Sequence, residues 1–428
     1  MIAPARLVPA ILPALLFCAA ALTTFADAPP EAPASVSVAP AGDPASPEAL
    51  GRTPEQHATA RRYARQGWTL WFVQALGGMA ILAVLTLTGT AGRIEGRLAP
   101  WLPPGWRRDA AVAVTVLALL HVLQFPLDVV RHQREVSYGF ATQTFGAWLL
   151  DRFKMAGVET ALALVAVVPL FAAMRRLPRW WWAAGAAGGV VLTIFVAAVM
   201  PVFIAPLFNT FQPLPQGPLR SRIEAMARAH GIPDAGIFQV DASRQSLHDN
   251  AYVAGLLGTE RIVLYDTLID AYTPEQVLFV LGHEIGHDRL AHIWKGIGTA
   301  SAALIGGFWL LWRLLPWMTR AAGARARIEA SPSAALLPLV MLYASVCGFV
   351  LQPVAGGVSR HLEHQADLYA LRAVAGEPGW RDTAVSSFQK MAARNLSDPD
   401  PPAWIEWFLY SHPSAGRRIR FCAAWQPG

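Results

Sequence analysis

The apolar residues of this chain are gathered into long runs. The first is Leu7–Ala26, and six more follow: Trp68–Thr90, Ala110–Leu127, Ala156–Met174, Trp180–Phe208, Gly296–Trp312 and Ser333–Ser359. Each is near the roughly 20 residues an α-helix needs to cross a bilayer. Backbone N–H and C=O groups in lipid must be satisfied within their own segment, so these runs are predicted to be helices. Two hydrophilic regions remain, 209–295 and 360–428. In the first, Ile237–Asp241 and Arg261–Tyr265 gather β-forming residues and read as short strands, with Ala251–Leu257 a third. Thr273-Pro274-Glu275-Gln276 is a helix start, with Thr as N-cap, Pro in the first helical position and Gln placed to close a capping box.

The first run has two readings. It follows a lone Arg6 and ends at Ala26-Asp27-Ala28, the pattern of a signal-peptidase site. It is also long enough to be a membrane span. The next stretch, 28–54, holds seven prolines among Ala and Ser and is expected to be a disordered linker with no core of its own. The expected division is therefore 1–27 as signal peptide or first span, 28–60 as linker, 61–208 as an N-terminal membrane domain, and 209–428 as a catalytic domain. The last includes two spans, about 296–312 and 333–359.

Composition agrees with a membrane protein. Hydrophobic residues make up 54% and charged residues 15% of the chain, against roughly 25% charged in an ordinary soluble domain. Mean hydropathy is +0.35. Several of the 16 Trp stand at the ends of apolar runs, where amphipathic rings favour the membrane interface. The net charge of +6 comes from Arg scattered over the loops. That distribution suits membrane-flanking charge rather than a nucleic-acid surface, and no nucleic-acid partner is expected. The three cysteines, Cys18, Cys347 and Cys422, form no C-x-x-C pair. A metal here needs His and carboxylate ligands.

Such ligands are present. His283-Glu284-Ile285-Gly286-His287 is an H-E-x-x-H motif on the helix opened by Thr273. Residues four apart leave one face of a helix, so both imidazoles can bind one zinc. Glu284 then reaches a water in the open coordination position and serves as general base in peptide hydrolysis. The alternative, two surface histidines flanking a Glu, conflicts with the apolar Val277–Leu281 just before them, because an unpaired Glu on a buried helix is costly. A catalytic zinc takes a third protein ligand. Glu363 is the candidate, in Ser359-Arg360-His361-Leu362-Glu363-His364-Gln365-Ala366-Asp367. Asp367 shares its helix face, where it orients a ligand imidazole or serves in proton transfer. A solvated acidic helix face is the plain alternative for this pair, and His361 and His364 are competing ligands. Glu159 and His121 lie inside apolar runs, where ionisable groups are functional candidates, here as the lining of a chamber, with a helix-end position as the plain alternative.

From these motifs onward the chain resembles the type I CAAX prenyl endopeptidases, integral-membrane zincins whose third ligand is Glu. The resemblance covers roughly residues 61–425. It includes Pro126-Leu127, Gly139-Phe140, Gln143-Thr144-Phe145-Gly146 with Asp151 and Lys154, Ile204–Asn209, and Asn250-Ala251-Tyr252. It continues through His283–His287, Glu363–Asp367 and Tyr410-Ser411-His412-Pro413. Asp249 departs from the pattern, which usually has a small hydroxyl residue there. The resemblance implies an α-helical multipass membrane protein of about seven spans around a large chamber, closed by a mostly helical zincin domain with a small β-sheet. It implies one zinc per chain and protein or peptide substrates, cleaved in eukaryotic members at a lipid-modified carboxy terminus. It also implies that Asn250 and His412 stabilise the oxyanion; alone, they read as a turn residue and a surface His. Arg418 matches the family's basic residue six after His412. It pairs with a substrate carboxylate, or is a solvated or lipid-facing arginine.

Orientation turns on the first run. If it spans the membrane, the side carrying 209–295 and 359–428 has 23 of the 35 Lys and Arg, and the other side has 12. The richer side is expected to be cytoplasmic, which puts the zinc there. Cleavage after Ala28 would put it outside. Two rival functions stand beside the processing protease. One is a general quality-control protease of membrane proteins with the same site. The other is a cation-coupled transporter relying on Glu159 and His121.

Overall fold

A computed structural model describes residues 42–255, 260–327 and 332–427. In chain order its helices begin with α1 (Pro54–Leu87), a short α2 (Thr90–Leu98), α3 (Trp106–Ser137), α4 (Phe145–Arg176) and α5 (Trp181–Val199). The strand β1 (Phe211–Pro213), helix α6 (Pro218–Ala229), and strands β2 (Gly236–Val240), β3 (Ala251–Ala254) and β4 (Arg261–Tyr265) follow. The chain then forms α7 (Asp266–Ala271), α8 (Pro274–Arg289), α9 (His292–Ala322) and α10 (Leu337–Val374). It ends with α11 (Trp380–Arg394), α12 (Ala403–Leu409) and α13 (Ala415–Ala424).

Among the described residues, six helices are long and apolar enough to cross a membrane. They coincide with the six apolar runs after the first. Leu7–Ala26 lies outside the described residues. The membrane helices pack on one another through Leu82, Leu117, Leu120, Phe171, Leu337 and Met341. Val122, Val191 and Phe203 face outward and are exposed, as lipid contact requires. After Val199, the winding of α5 widens into a π turn, Met200–Ile204, and then a 3₁₀ turn, Ala205–Leu207. Pro201 and Pro206 sit in those turns, each lacking the N–H that an α-helical ladder would use.

The described part of the 28–60 stretch, residues 42–60, differs from the linker expected of it. From residue 42 it is packed: Ala45 and Leu50 are buried beside Phe279, Ala370, Phe388 and Ile419 of the catalytic half. The Arg52 guanidinium donates to the carbonyls of Ser397 and Ala392. Thr53 then caps α1 in a capping box with Gln56, and Pro54 takes the first turn. A Pro- and Ala-rich segment cannot build a core, but it can dock on one that other elements supply.

The catalytic half holds a four-stranded sheet in the order β1-β2-β4-β3. β2 and β4 are parallel, while β1 and β3 pair antiparallel with their neighbours. The three strands read from sequence are all present. β1 adds a three-residue edge too short to show a periodic pattern. Ile262 and Leu264 of β4 pack with Ile223 of α6, Leu268 of α7, and Leu281 and Ile285 of α8. β3, at the edge of the sheet, lies against α8.

Two features bring α8 onto α10. Gly282 and Gly286 turn a bare backbone face toward α10. A Cβ on Gly286 would stand 3.0 Å from the Tyr369 Cβ and 3.3 Å from the Ala366 Cα. A Cβ on Gly282 would stand 3.4 Å from the Ala370 Cα. Small residues on both helices thus set their close approach. The second feature is length. The run Ser333–Ser359 continues as one helix to Val374, 38 residues in α10, or about 57 Å at 1.5 Å per residue. Glu363 and Asp367 therefore ride on the continuation of a membrane helix.

Candidate metal centre and active site

α8 starts where the sequence predicts. The Thr273 side chain accepts from the Gln276 N–H, while the Gln276 side chain accepts from the Thr273 N–H. The buried face of α8 carries Val277, Leu281 and Ile285 into the core, which turns His283, Glu284 and His287 toward α10 and a cavity. His283 Nε2 lies 3.2 Å from Glu363 Oε2, and His287 Nε2 lies 3.4 Å from Glu363 Oε1. The two Nε2 atoms are 3.0 Å apart. The donor atoms of all three residues fall within 4.8 Å of one another.

These residues fit a metal. Glu363 is 1% exposed, yet its Oε2 has no hydrogen-bond partner. A buried carboxylate oxygen left so is expensive unless a cation completes it. Burial holds His287 down at about 3, so it is neutral and keeps a lone pair for ligation. His361 and His364 are not in the group. His361 bonds Gln365, and the His364 ring packs on Phe421 at 4.4 Å.

Asp367 sits behind His283, its Oδ1 2.9 Å from Nδ1. Arg418 grips Asp367 through two bonds, Nη2 to Oδ1 at 2.5 Å and Nε to Oδ2 at 2.9 Å. The guanidinium also lies over the Phe388 ring at 4.1 Å. Arg418 is thus a buried partner of Asp367, neither solvated nor lipid-facing. It also lines the cavity that Glu284 and His412 face.

Glu284 lines a cavity of about 460 Å³ with Asn250, His412, Trp68, Trp71 and Tyr410. Burial pushes its carboxyl up to about 7. His412 Nε2 is 3.3 Å from Glu363 Oε2, while its Nδ1 meets the Ser411 hydroxyl at 2.9 Å. Burial lowers the His412 pKa, favouring the neutral ring. Asn250 accepts the Ala251 N–H through Oδ1, and its buried Nδ2 has no partner. Asp249 is paired rather than free. Arg394 Nε and Nη2 reach its two oxygens at 2.6 and 2.8 Å, and the Tyr272 hydroxyl donates to Oδ2 at 3.2 Å. The departure at Asp249 is thus matched by a buried arginine that pins the residue before Asn250. Sequence reading passed over Arg394, which has no motif. It also passed over His292, whose only signal was a third histidine five residues after His287.

The intramembrane pair is also brought together. His121 Nδ1 and Arg152 Nη1 each lie 3.6 Å from Glu159 Oε2, and Arg152 Nε donates to Asp128 Oδ2 at 2.8 Å.

Comparison with known proteins decides the class. Residues 213–426 match the model of peptidase family M48, half of the chain. The chain belongs to peptidase family M48. Residues 43–210 match a second model, the CAAX prenyl protease N-terminal region with five membrane helices. A relative from Bacillus subtilis, the uncharacterized metalloprotease YhfN, is 28% identical over 89% of this chain and 90% of its own length. The CAAX prenyl protease 1 homolog of Arabidopsis thaliana is 31% identical over 67% of this chain and 66% of its own. The crystal structure of S. mikatae Ste24p has the same fold, with a TM-score of 0.74 at 23% identity over 86% of this chain and 89% of that one. As an M48 peptidase with six apolar helices, the chain is a metalloendopeptidase of the membrane, and the transporter reading falls away.

Proposed function

We propose that this chain is a zinc endopeptidase that cleaves extended peptides at the membrane, with proteins carrying a lipid-modified carboxy terminus as its substrate class. The observation that carries the reading is the convergence of His283, His287 and Glu363 beside Glu284 at a cavity wall. Donors held 2.0–2.1 Å from a zinc stand roughly 3.3 Å apart in a tetrahedron. The two Nε2 atoms 3.0 Å apart, each with a Glu363 oxygen within 3.4 Å, suit that ion. Bound there, zinc supplies Lewis acidity and acidifies water.

The chain's own residues do the rest. Glu284 takes the proton of the attacking water and delivers it to the leaving amine. Asn250 Nδ2 and neutral His412 Nε2–H donate to the carbonyl oxygen as charge develops on it, each supplying about 3–4 kcal/mol. Asp367, itself held by Arg418, accepts from His283 Nδ1 and so keeps Nε2 available for the metal. β3, at the sheet edge along α8, offers that edge to a substrate added as a further strand. Backbone contacts then give most of the binding, and side-chain selectivity is loose.

The lipid-modified substrate class is supported by the printed names of several relatives, among them CAAX prenyl protease 1 of Saccharomyces cerevisiae. The aromatic wall that Trp68 and Trp71 give the cavity would suit an apolar tail. A second reading, quality control of membrane proteins, is favoured by the extent of the match to YhfN, whose name carries no prenyl substrate. We place the zinc on the cytoplasmic side, with Leu7–Ala26 as a span. The Lys and Arg bias of 23 to 12 supports this. We keep 209–428 as the catalytic domain and move the start of the membrane domain to about residue 43.

The test uses the purified full chain in liposomes with peptides that do or do not carry a farnesylated cysteine. Chelator-sensitive cleavage restored by Zn²⁺, faster on the farnesylated peptide, is expected. Equal cleavage of both favours quality control, and no cleavage of either by metal-loaded protein overturns the peptidase mechanism. A reporter inserted within 209–295, read for cytoplasmic against exported activity, tests the side.

A further inference from the structure

The two histidines of the motif present Nε2 to the same point but are held differently from behind. His283 Nδ1 faces the carboxylate of Asp367. His287 Nδ1 faces another imidazole, His292 Nδ1, at 3.0 Å. His292 Nε2 in turn faces Gln365 Oε1 at 3.1 Å, and Gln365 Nε2 faces His361 Nε2 at 3.1 Å. A chain of three hydrogen bonds thus leaves His287 on α8, passes through the first residue of α9, and ends on α10.

The backbone is bent to make this chain possible. α8 ends at Arg289, and Ala291 adopts φ +55, ψ 39, a left-handed conformation. For a residue with a Cβ that conformation is unfavourable, because the Cβ crowds the following carbonyl oxygen. It lets the membrane helix α9 begin immediately, with His292 4% exposed and against His287. A strained residue of this kind, four positions after a metal ligand and next to His292, invites a functional explanation.

The polarity of the chain follows from Gln365. An amide oxygen only accepts, so His292 must carry its hydrogen on Nε2. A neutral imidazole protonated there has its lone pair on Nδ1. That lone pair takes the hydrogen of His287 Nδ1, which leaves the His287 lone pair on Nε2, the atom that faces Glu363 and His283. The amide is held against turning over. Lys295 Nζ also lies 3.5 Å from Gln365 Oε1, so a reversed amide would set its NH₂ against an ammonium and an N–H.

We propose that His292 and Gln365 are positioning residues for the metal site: Gln365 fixes the tautomer of His292, and His292 fixes the tautomer and ring plane of His287. The proposal rests on His287 being a metal ligand. One ligand imidazole is then backed by a charged pair, Asp367 with Arg418, and the other by a neutral relay whose direction is set by one amide.

Metal affinity of the full-length protein tests this without reference to turnover. The purified protein is stripped of metal, and Zn²⁺ affinity is measured by competition with a chelator, with Co²⁺ absorption as a report on geometry. Gln365→Leu and His292→Phe are each expected to weaken Zn²⁺ binding by about 10–100-fold and to alter the Co²⁺ spectrum. Gln365→Glu keeps an acceptor oxygen facing His292 and is expected to retain affinity near that of the parent. Parent-like affinity and spectrum in Gln365→Leu overturn the proposal. So does a loss in Gln365→Glu as large as in Gln365→Leu, since packing and not the acceptor would then be at stake. His287→Ala separates this from the underlying reading. If it too keeps its metal, the ligand assignment itself fails; if it loses metal while Gln365→Leu does not, only the relay fails. Monodispersity and thermal unfolding by Trp fluorescence show that each variant is folded.

Discussion

Two clusters of buried charge sit in this molecule, and both would look alike on a list of intramembrane or core ionisable residues. The outer one joins His121, Asp128, Arg152 and Glu159 between α3 and α4. The inner one joins His283, His287, Glu363, Asp367 and Arg418 between α8, α10 and α13. In the outer cluster Arg152 lies between two carboxylates, within 2.8 Å of Asp128 and 3.6 Å of Glu159, and offsets one of their two charges. In the inner cluster the arginine is drawn to Asp367, at 2.5 Å, and stays 3.9 Å from Glu363. Glu363 is left to share one point with two imidazole lone pairs beside an open cavity. A cluster with an arginine set between its carboxylates is a structural tie within an apolar bundle. A cluster whose acceptors converge without a proton or arginine to close them is a place for a cation.

That contrast can be broken at the inner cluster first. Glu363→Ala is expected to abolish both stoichiometric metal and turnover, while His364→Ala keeps both; metal content per chain, measured on purified protein, decides it. Next, Glu284→Gln should lower kcat by roughly 10²–10⁴-fold with metal content unchanged, because Glu284 moves a proton and ligates nothing. Normal kcat in that variant sinks the assignment of the base. Asn250→Ala should lower kcat by about 10²–10³-fold with little change in KM, the pattern of a donor used only as the oxyanion forms. A change confined to KM would make Asn250 a binding residue instead.

The pH profile gives a smaller effect. Burial places the Glu284 carboxyl at about 7, and only the ionised form is a base. kcat/KM should therefore fall as pH drops through a limb at or below 7, since a bound cation favours the carboxylate and moves the limb toward acid. Glu284→Gln should erase that limb. The smallest effect is expected at the outer cluster. Glu159→Gln should cost about 1 kcal/mol of stability and leave turnover near that of the parent. Loss of turnover with metal retained would place the outer cluster in the chemistry and end the contrast.

Much of the inner cluster was legible in the chain itself. H-E-x-x-H spacing puts two imidazoles on one helix face, and the apolar Val277–Leu281 ahead of it forecasts a buried helix. The six apolar runs were legible for the same reason: lipid permits no other backbone solution. Glu363 was the leading candidate with His361 and His364 in competition, because one turn of helix offers several faces and only the packing partner chooses among them. Gly282 and Gly286 make that choice here, by letting α8 approach the Ala366 and Ala370 side of α10. Partners distant in sequence were not legible. Arg394 meets Asp249 across 145 residues and Arg418 meets Asp367 across 51. The docking of Ala45 and Leu50 was hidden because composition reports what a segment can bury by itself, not what groove awaits it.

α10 has a consequence for how this enzyme can be taken apart. One helix serves as a membrane span at its start and as the carrier of Glu363 near its end, with no loop between the two uses. Glu363 lies ten residues past Pro353, about 15 Å along the axis. The membrane and the active site are therefore two stations on one shaft. A cut that frees the catalytic half from lipid must sever that shaft or strip its apolar first half of the partners that hold it in register. The lesson for engineering is one of geometry. The stretch that carries Glu363 comes joined to an apolar span, and any change that tilts the shaft in the bilayer also turns the hand that grips the metal.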